Sequence, residues 1–158
     1  MQAWRIAKAK RAGDLTGRGA AIEGGRWNEV DVPAVYLGMT AAICSLETFV
    51  HTASYPAIPL KITRFVLPDD PALYWEPDPA DLPKGWAMLP ADRPSMTFGT
   101  KWLRANSHLG LIVPSAVLPL ERNIVLNPAH PAIHQVRVEQ TFDFAYDKRM
   151  FAKRDSAA

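Results

Sequence analysis

Fourteen of the 158 residues are proline, and their spread along the chain limits the available folds more than any other feature. Each lacks a backbone N–H and fixes φ, so the chain is cut into short elements joined by turns, with few long helices. Period-2 patterning then marks the strands. Trp4-Arg5-Ile6-Ala7 is a short first strand and Ala34-Val35-Tyr36-Leu37 a second. Ile58, Leu60 and Ile62 alternate with smaller or polar residues into Phe65-Val66-Leu67, a central strand, and Leu109–Val113 is an apolar run ending at Pro114. Asn123–Leu126 and Ile133–Phe144 follow, separated by the rigid corner Asn127-Pro128-Ala129-His130-Pro131. Helical spacing occurs from about Thr40 to Thr52 and from Met96 to Ala105, where Phe98, Trp102 and Leu103 are anchors and Asn106-Ser107 the stop. Strands outnumber helices and no regular helical crossovers separate them. The expected class is α+β with a mainly antiparallel sheet.

The length suits one domain over residues 1–158, with a core from about 3 to 150 and a frayed tail from Lys153. Net charge is only +2, so the overall balance demands no nucleic-acid partner, although Arg5, Lys8, Lys10, Arg11 and Arg18 make the start locally basic. Neither a signal peptide nor a membrane-length apolar run is visible, which predicts a soluble, cytoplasmic protein. Cys44 has no second cysteine to pair with and sits among apolar neighbours, the setting of a buried, inert thiol. Lys8 to Gly19 has no period and reads as a mobile loop. Its Gly17-Arg18-Gly19 lacks the third glycine of a dinucleotide fingerprint, because position 22 is Ile22, so a Rossmann fold is rejected. His130 and His134 are four apart, but the intervening Pro131 argues against helical geometry and hence against a zinc site. Pro68 to Pro94 reads as an ordered excursion packing Trp75 and Trp86 against the domain, with little functional information in it.

Chemistry concentrates in Gly24-Gly25-Arg26-Trp27-Asn28, followed by Tyr36 and Glu47. A Gly-Gly pair permits positive φ and close backbone approach, and here it presents a guanidinium beside a large aromatic, the makings of an anion site. In the following helix Ile43, Leu46, Phe49 and Val50 form the apolar stripe, which puts Glu47 on the rim of the buried face. A half-desolvated carboxylate there needs a partner. Ser115 presents its hydroxyl where the chain leaves a buried strand at Pro114; a turn-stabilising role is the plainest reading of it.

These residues, taken together, resemble the RES-domain family, named for an arginine, a glutamate and a serine. The likeness is carried by Gly24–Asn28, Val35-Tyr36-Leu37, Leu46-Glu47 with Val50-His51, Val113-Pro114-Ser115, and Asn123 with Leu126–Pro131, in the family's order over nearly the whole chain. Arg5 and the late Phe142-Asp143 to Arg149 also look like family positions. Glu29 departs from the pattern, since a proline often follows Trp-Asn there, and Pro68–Pro94 aligns poorly. The resemblance implies a single-domain, ADP-ribosyltransferase-like split sheet around an NAD+-binding cleft, with a few short helices.

It implies function as well. Members break the nicotinamide–ribose bond of NAD+, which serves as substrate without a metal, and pass ADP-ribose to water, phosphate or a protein side chain. They are toxins paired with an Xre-like antitoxin that covers the cleft and carries the DNA-binding part. Catalytic roles would fall to Arg26, Tyr36, Glu47 and Ser115, and NAD+ contacts to Arg5, Gly25, Arg26, Trp27, Tyr36, Ser115 and Asn127. A forked guanidinium suits a pyrophosphate, and an aromatic face suits a cationic nicotinamide. The carboxylate of Glu47 suits the oxocarbenium character that develops on the ribose. Ser115 would orient the ribose or Glu47. Two readings compete: a non-enzymatic nucleic-acid-binding module using the basic start and exposed tryptophans, and an enzyme other than a glycohydrolase in which His51 or His130 is the base.

Overall fold

The protein is described by a computed structural model over residues 1–152; the tail expected to fray from Lys153 lies outside the described residues. Seven strands form one sheet: β1 (Gln2–Lys8), β2 (Val35–Gly38), β3 (Leu60–Val66), β4 (Tyr74–Trp75), β5 (Gly110–Pro114), β6 (Arg122–Leu126) and β7 (Arg137–Phe144). Their order is β4-β5-β6-β2-β1-β3-β7. Every pairing is antiparallel except β4 with β5, so the expected α+β class with a mainly antiparallel sheet holds.

The expected split is visible in the pairing. β1 meets β2 through one pair, Trp4 opposite Gly38, whereas β1 and β3 pair from Gln2↔Val66 through Lys8↔Leu60. A four-stranded half, β4-β5-β6-β2, is thus hinged to a three-stranded half, β1-β3-β7. In the first half Leu111, Val113, Ile124, Val125 and Leu126 are all fully buried, because β5 and β6 are covered on both faces and can be apolar without alternation. In the second half β7 is an edge strand, exposed along nearly its whole length and bulged where β3 passes from Arg64 to Phe65. Bulges and charged residues are common defences of such an edge.

Three α-helices pack on this frame. α1 (Arg18–Glu23) is one short turn and a half ending at Gly24. α2 (Ala41–Val50) starts where the Thr40 hydroxyl accepts the Ile43 N–H at 3.1 Å. α3 (Arg93–Ala105) starts at Asp92 with Pro94 in its first turn and stops at Asn106, whose φ of 52° is the left-handed conformation asparagine tolerates. α2 lies directly on β2, and a side chain at Gly38 would come within 2.7 Å of the Cys44 backbone nitrogen. Among the described residues no helix is long and apolar enough to cross a membrane.

Four sequence expectations change. The Lys8–Gly19 segment contains a 3-10 turn (Ala9–Arg11) and the start of α1. Its turn is fastened to β1, because Arg5 donates to the carbonyls of Arg11, Ala12 and Asp14. Ile133–Gln135 belong to a 3-10 turn, Pro131–Gln135, so the last strand begins only at Arg137. Here Pro131 opens a helical turn, since its fixed φ suits a first helical position, and His130 Nδ1 is occupied accepting the Ala132 N–H. The third strand is paired on both sides but stands next to the edge. Pro68–Pro94 contributes β4 and two 3-10 turns to the fold.

Candidate active site

A cleft of about 620 Å³ opens where β1 and β2 diverge beyond their single pair. Trp4 and Arg5 line it from β1, Tyr36 from β2, Glu47 and His51 from α2 and its end, and Leu89 from the segment before α3.

Glu47 is half-buried on α2, and its Oε1 accepts two hydrogen bonds, from Ser115 Oγ and from Asn123 Nδ2, each at 2.6 Å. Ser115 follows β5 and Asn123 lies in β6, where Val113 pairs with Asn123, so adjacent strands aim both donors at one oxygen. Ser115 is fully buried, and its oxygen also accepts the N–H groups of Val117 and Leu118 at 3.1 Å. That turn commits the hydroxyl proton to Glu47. Two donors on Oε1 fix where the carboxylate sits, and Oε2 has no protein hydrogen bond among the described residues. The helix is rotated from its expected setting: Ile43 and Cys44 are its buried residues, while Val50 faces the cleft. The Cys44 thiol is buried and pushed up to about 11 by burial, so it stays a thiol at neutral pH.

Arg26 stands in a tight turn closed by Gly25 N–H to Asn28 O at 2.9 Å. Its Nη1 donates to the carbonyls of Trp86 and Met88 at 2.8 and 2.9 Å, which leaves the Nε/Nη2 edge for an anion. Burial pushes the guanidinium below its usual value, and the charge of Glu47 opposes that shift. The Pro68–Pro94 segment, which looked uninformative, therefore holds Arg26 and walls the cleft through Leu89, Pro90 and Ala91. Its lack of period hid this role, because carbonyl acceptors and wall residues leave no side-chain signature.

Tyr36 locks that turn. Its hydroxyl donates to Asn28 Oδ1 at 2.6 Å and accepts the Trp27 N–H at 2.9 Å. Burial pushes the phenol well above its usual range, so it stays protonated, and Tyr36 lines the cleft with its hydroxyl already engaged. Gly25 is required by this packing: a Cβ there would lie 2.8 Å from both Asn28 Oδ1 and the Tyr36 oxygen. Trp27 is 3% exposed, stacked on Trp86 at 6.0 Å and edge-on to Phe98. It braces the turn from inside the core and contributes to the cleft lining. Glu29 has a structural use for its N–H, which reaches Thr100 Oγ1 at 2.9 Å; the proline found elsewhere would lack that donor.

Two predicted contacts are placed differently. Arg5 borders the cleft, yet its guanidinium is spent on three carbonyls and lies over the Phe65 ring, lowered by desolvation. Asn127 does not reach the cleft. Its amide donates to Leu103 O and Asn106 Oδ1 and its oxygen accepts the Ala129 N–H, which ties the end of α3 to the corner after β6. Asn123 was recognisable as a family position but not as a holder of Glu47, a role that depends on strand register. Among the described residues no three His, Cys, Asp or Glu side chains are grouped to hold a metal ion.

Comparison with known proteins shows the family and the fold. Residues 2–147 match the RES domain family. A relative from Sphingobium sp. (strain YBL2), described as a Prs ADP-ribosylating toxin, is 40% identical over 156 residues, covering 95% of this chain and 96% of its own. A "Toxin Res" from Yersinia enterocolitica is 35% identical over 141 residues, covering 88% and 91%. Among solved structures, the Mycobacterium tuberculosis MbcT–MbcA toxin–antitoxin complex contains a chain of the same fold, with TM-score 0.71 and 21% identity over 91% of this chain and 84% of that one.

Proposed function

The chain belongs to the RES-domain family, and from that premise we propose that it is the toxin of a toxin–antitoxin pair and consumes NAD+, breaking the nicotinamide–ribose bond and passing ADP-ribose to water or phosphate. The observation that carries this reading is the pinned carboxylate: Glu47 Oε1 held at 2.6 Å by Ser115 and Asn123 in a cleft that it lines. Cleavage of an N-glycosidic bond builds positive charge on the ribose, and a fixed carboxylate stabilises that charge with little reorganisation. Arg26 would hold the pyrophosphate with its unspent edge, and the ring of Tyr36 would form the wall against which the flat nicotinamide rests. Ser115, buried behind Glu47, acts as a positioning residue.

A second acceptor has a specific observation in its favour. The 40% identical relative is described as ADP-ribosylating Prs, so transfer to a protein side chain is the alternative outcome of the same first step. The partner proposed for the toxin is an Xre-like antitoxin covering the cleft; the similar fold of MbcT was solved with its antitoxin. The experiment incubates the purified chain, freed of partner, with NAD+, with and without inorganic phosphate, and identifies nicotinamide and the ribosyl product. Nicotinamide release, with growth arrest on expression alone and rescue by the co-expressed neighbour, is expected. Absence of nicotinamide under every condition sinks the enzymatic reading.

A further inference from the structure

Stabilised charge and a gripped phosphate leave one requirement of the reaction unmet, the proton carried by the incoming acceptor. Resting on the NAD+ reading above, we propose that His51 is a further catalytic residue, the base that takes the proton from an oxygen nucleophile as it attacks the ribose. His51 is the residue at which α2 ends, with φ −92° and ψ 3°. It stands four residues beyond Glu47, about 6 Å further along the same helix face. It is exposed and lines the cleft.

Apart from the Nε/Nη2 edge of Arg26 and Oε2 of Glu47, which the NAD+ reading gives to the pyrophosphate and to the ribose charge, the ionisable and hydrogen-bonding groups beside His51 on the cleft wall are engaged. Arg5 is bound to three carbonyls and Arg26 to two. Tyr36 is locked between Asn28 and Trp27, and the Thr48 hydroxyl donates to the Cys44 carbonyl. Asn123 is spent on Glu47. The imidazole of His51 has no side-chain hydrogen bond to the described residues, and imidazole is the one side chain that ordinarily exchanges a proton near neutral pH. The titratable and charged groups sharing the cleft with it are Arg5 from β1, Arg26 from the turn, Tyr36 from β2, and Cys44 and Glu47 from α2.

In the proposed step the oxygen of water, phosphate or a side-chain hydroxyl forms a bond to the anomeric carbon of the ribose. The bond from that carbon to the nicotinamide nitrogen breaks, its electron pair stays on the ring and cancels the pyridinium charge, and the acceptor's proton passes to a ring nitrogen of His51. Because His51 stands at the outer end of α2, the acceptor enters from that side, where protein hydroxyls as well as water have access.

The test follows nicotinamide release at saturating NAD+ across neutral pH for the wild-type chain, His51→Asn and His51→Ala. Loss of the base is expected to lower kcat about 10²-fold, with NAD+ affinity and thermal midpoint unchanged. The decline of kcat on the acid side is expected to disappear in both variants, and added imidazole should restore part of the His51→Ala rate. Wild-type rate and pH profile in either variant would overturn the proposal, as would a loss of turnover matched by a loss of NAD+ affinity and untouched by imidazole. A wild-type chain that releases no nicotinamide fails at the earlier step, the assignment of NAD+ itself.

Discussion

Glu47 and Arg26 face one cleft, yet they are held by different kinds of partner. Glu47 is held side chain to side chain, by Ser115 and Asn123 at sequence separations of 68 and 76, on a wall made of a helix and two buried strands. Arg26 is held by backbone carbonyls of Trp86 and Met88, in a segment whose Met88 and Leu89 are 56% and 78% exposed. The first wall fixes a charge in a rigid frame, which a developing cation needs. The second keeps a cation on a surface segment and leaves one edge of its fork unspent, which suits gripping a ligand. The proposed function assigns chemistry to the first wall and affinity to the second.

The largest effect is expected from the first wall. Glu47→Gln keeps the shape and leaves an oxygen for Ser115 and Asn123 but removes the charge. It should lower kcat by about 10²–10³, roughly 3–4 kcal/mol of transition-state stabilisation, with the dissociation constant of NAD+ and the thermal midpoint nearly unchanged. Single-turnover kinetics beside calorimetry would measure this. Equal losses in affinity and rate would erase the division between the walls.

Arg26→Lys tests the second wall with a smaller effect. An ammonium keeps the charge and loses the fork, so it cannot serve two carbonyls and a pyrophosphate together. NAD+ binding is expected to weaken about tenfold, or about 1.4 kcal/mol, with a lesser change in kcat at saturation. An unaltered dissociation constant by titration would mean that Arg26 serves only to hold the Trp86–Met88 segment.

Tyr36→Phe has the smallest expected effect on turnover and a clear one on stability. The ring face stays, while Asn28 Oδ1 and the Trp27 N–H lose their partner. Leaving such groups unpaired costs about 1–3 kcal/mol, a fall of several degrees in thermal midpoint for a chain of this size. Turnover should stay within about twofold. A drop in kcat without loss of stability would give the phenol a chemical role that its hydrogen bonds argue against.

Local pattern made the strands around Trp4, Leu109 and Asn123 legible, together with α2 and the Asn106 stop, because burial period and caps act over a few residues. It misplaced Ile133–Gln135, where an apolar residue after Pro131 fits a strand as well as a 3-10 turn, and it passed over Pro68–Pro94. Asn127 looked like a ligand within its motif; its amide is instead consumed by the end of α3.

What the sequence by itself determined is most of the short elements, the α+β class, the family, and the presence of Glu47 on the helix after β2, since propensity, period and residue order are properties of the chain. Tertiary structure alone decided that β1 and β2 part after one pair to open the cleft. It also decided that Ser115 and Asn123 converge on Glu47, and that Trp86 and Met88 hold Arg26. Those contacts join residues 60 to 76 positions apart, and no local rule sets their distance: strand register and loop closure do, once the core has chosen which faces to bury.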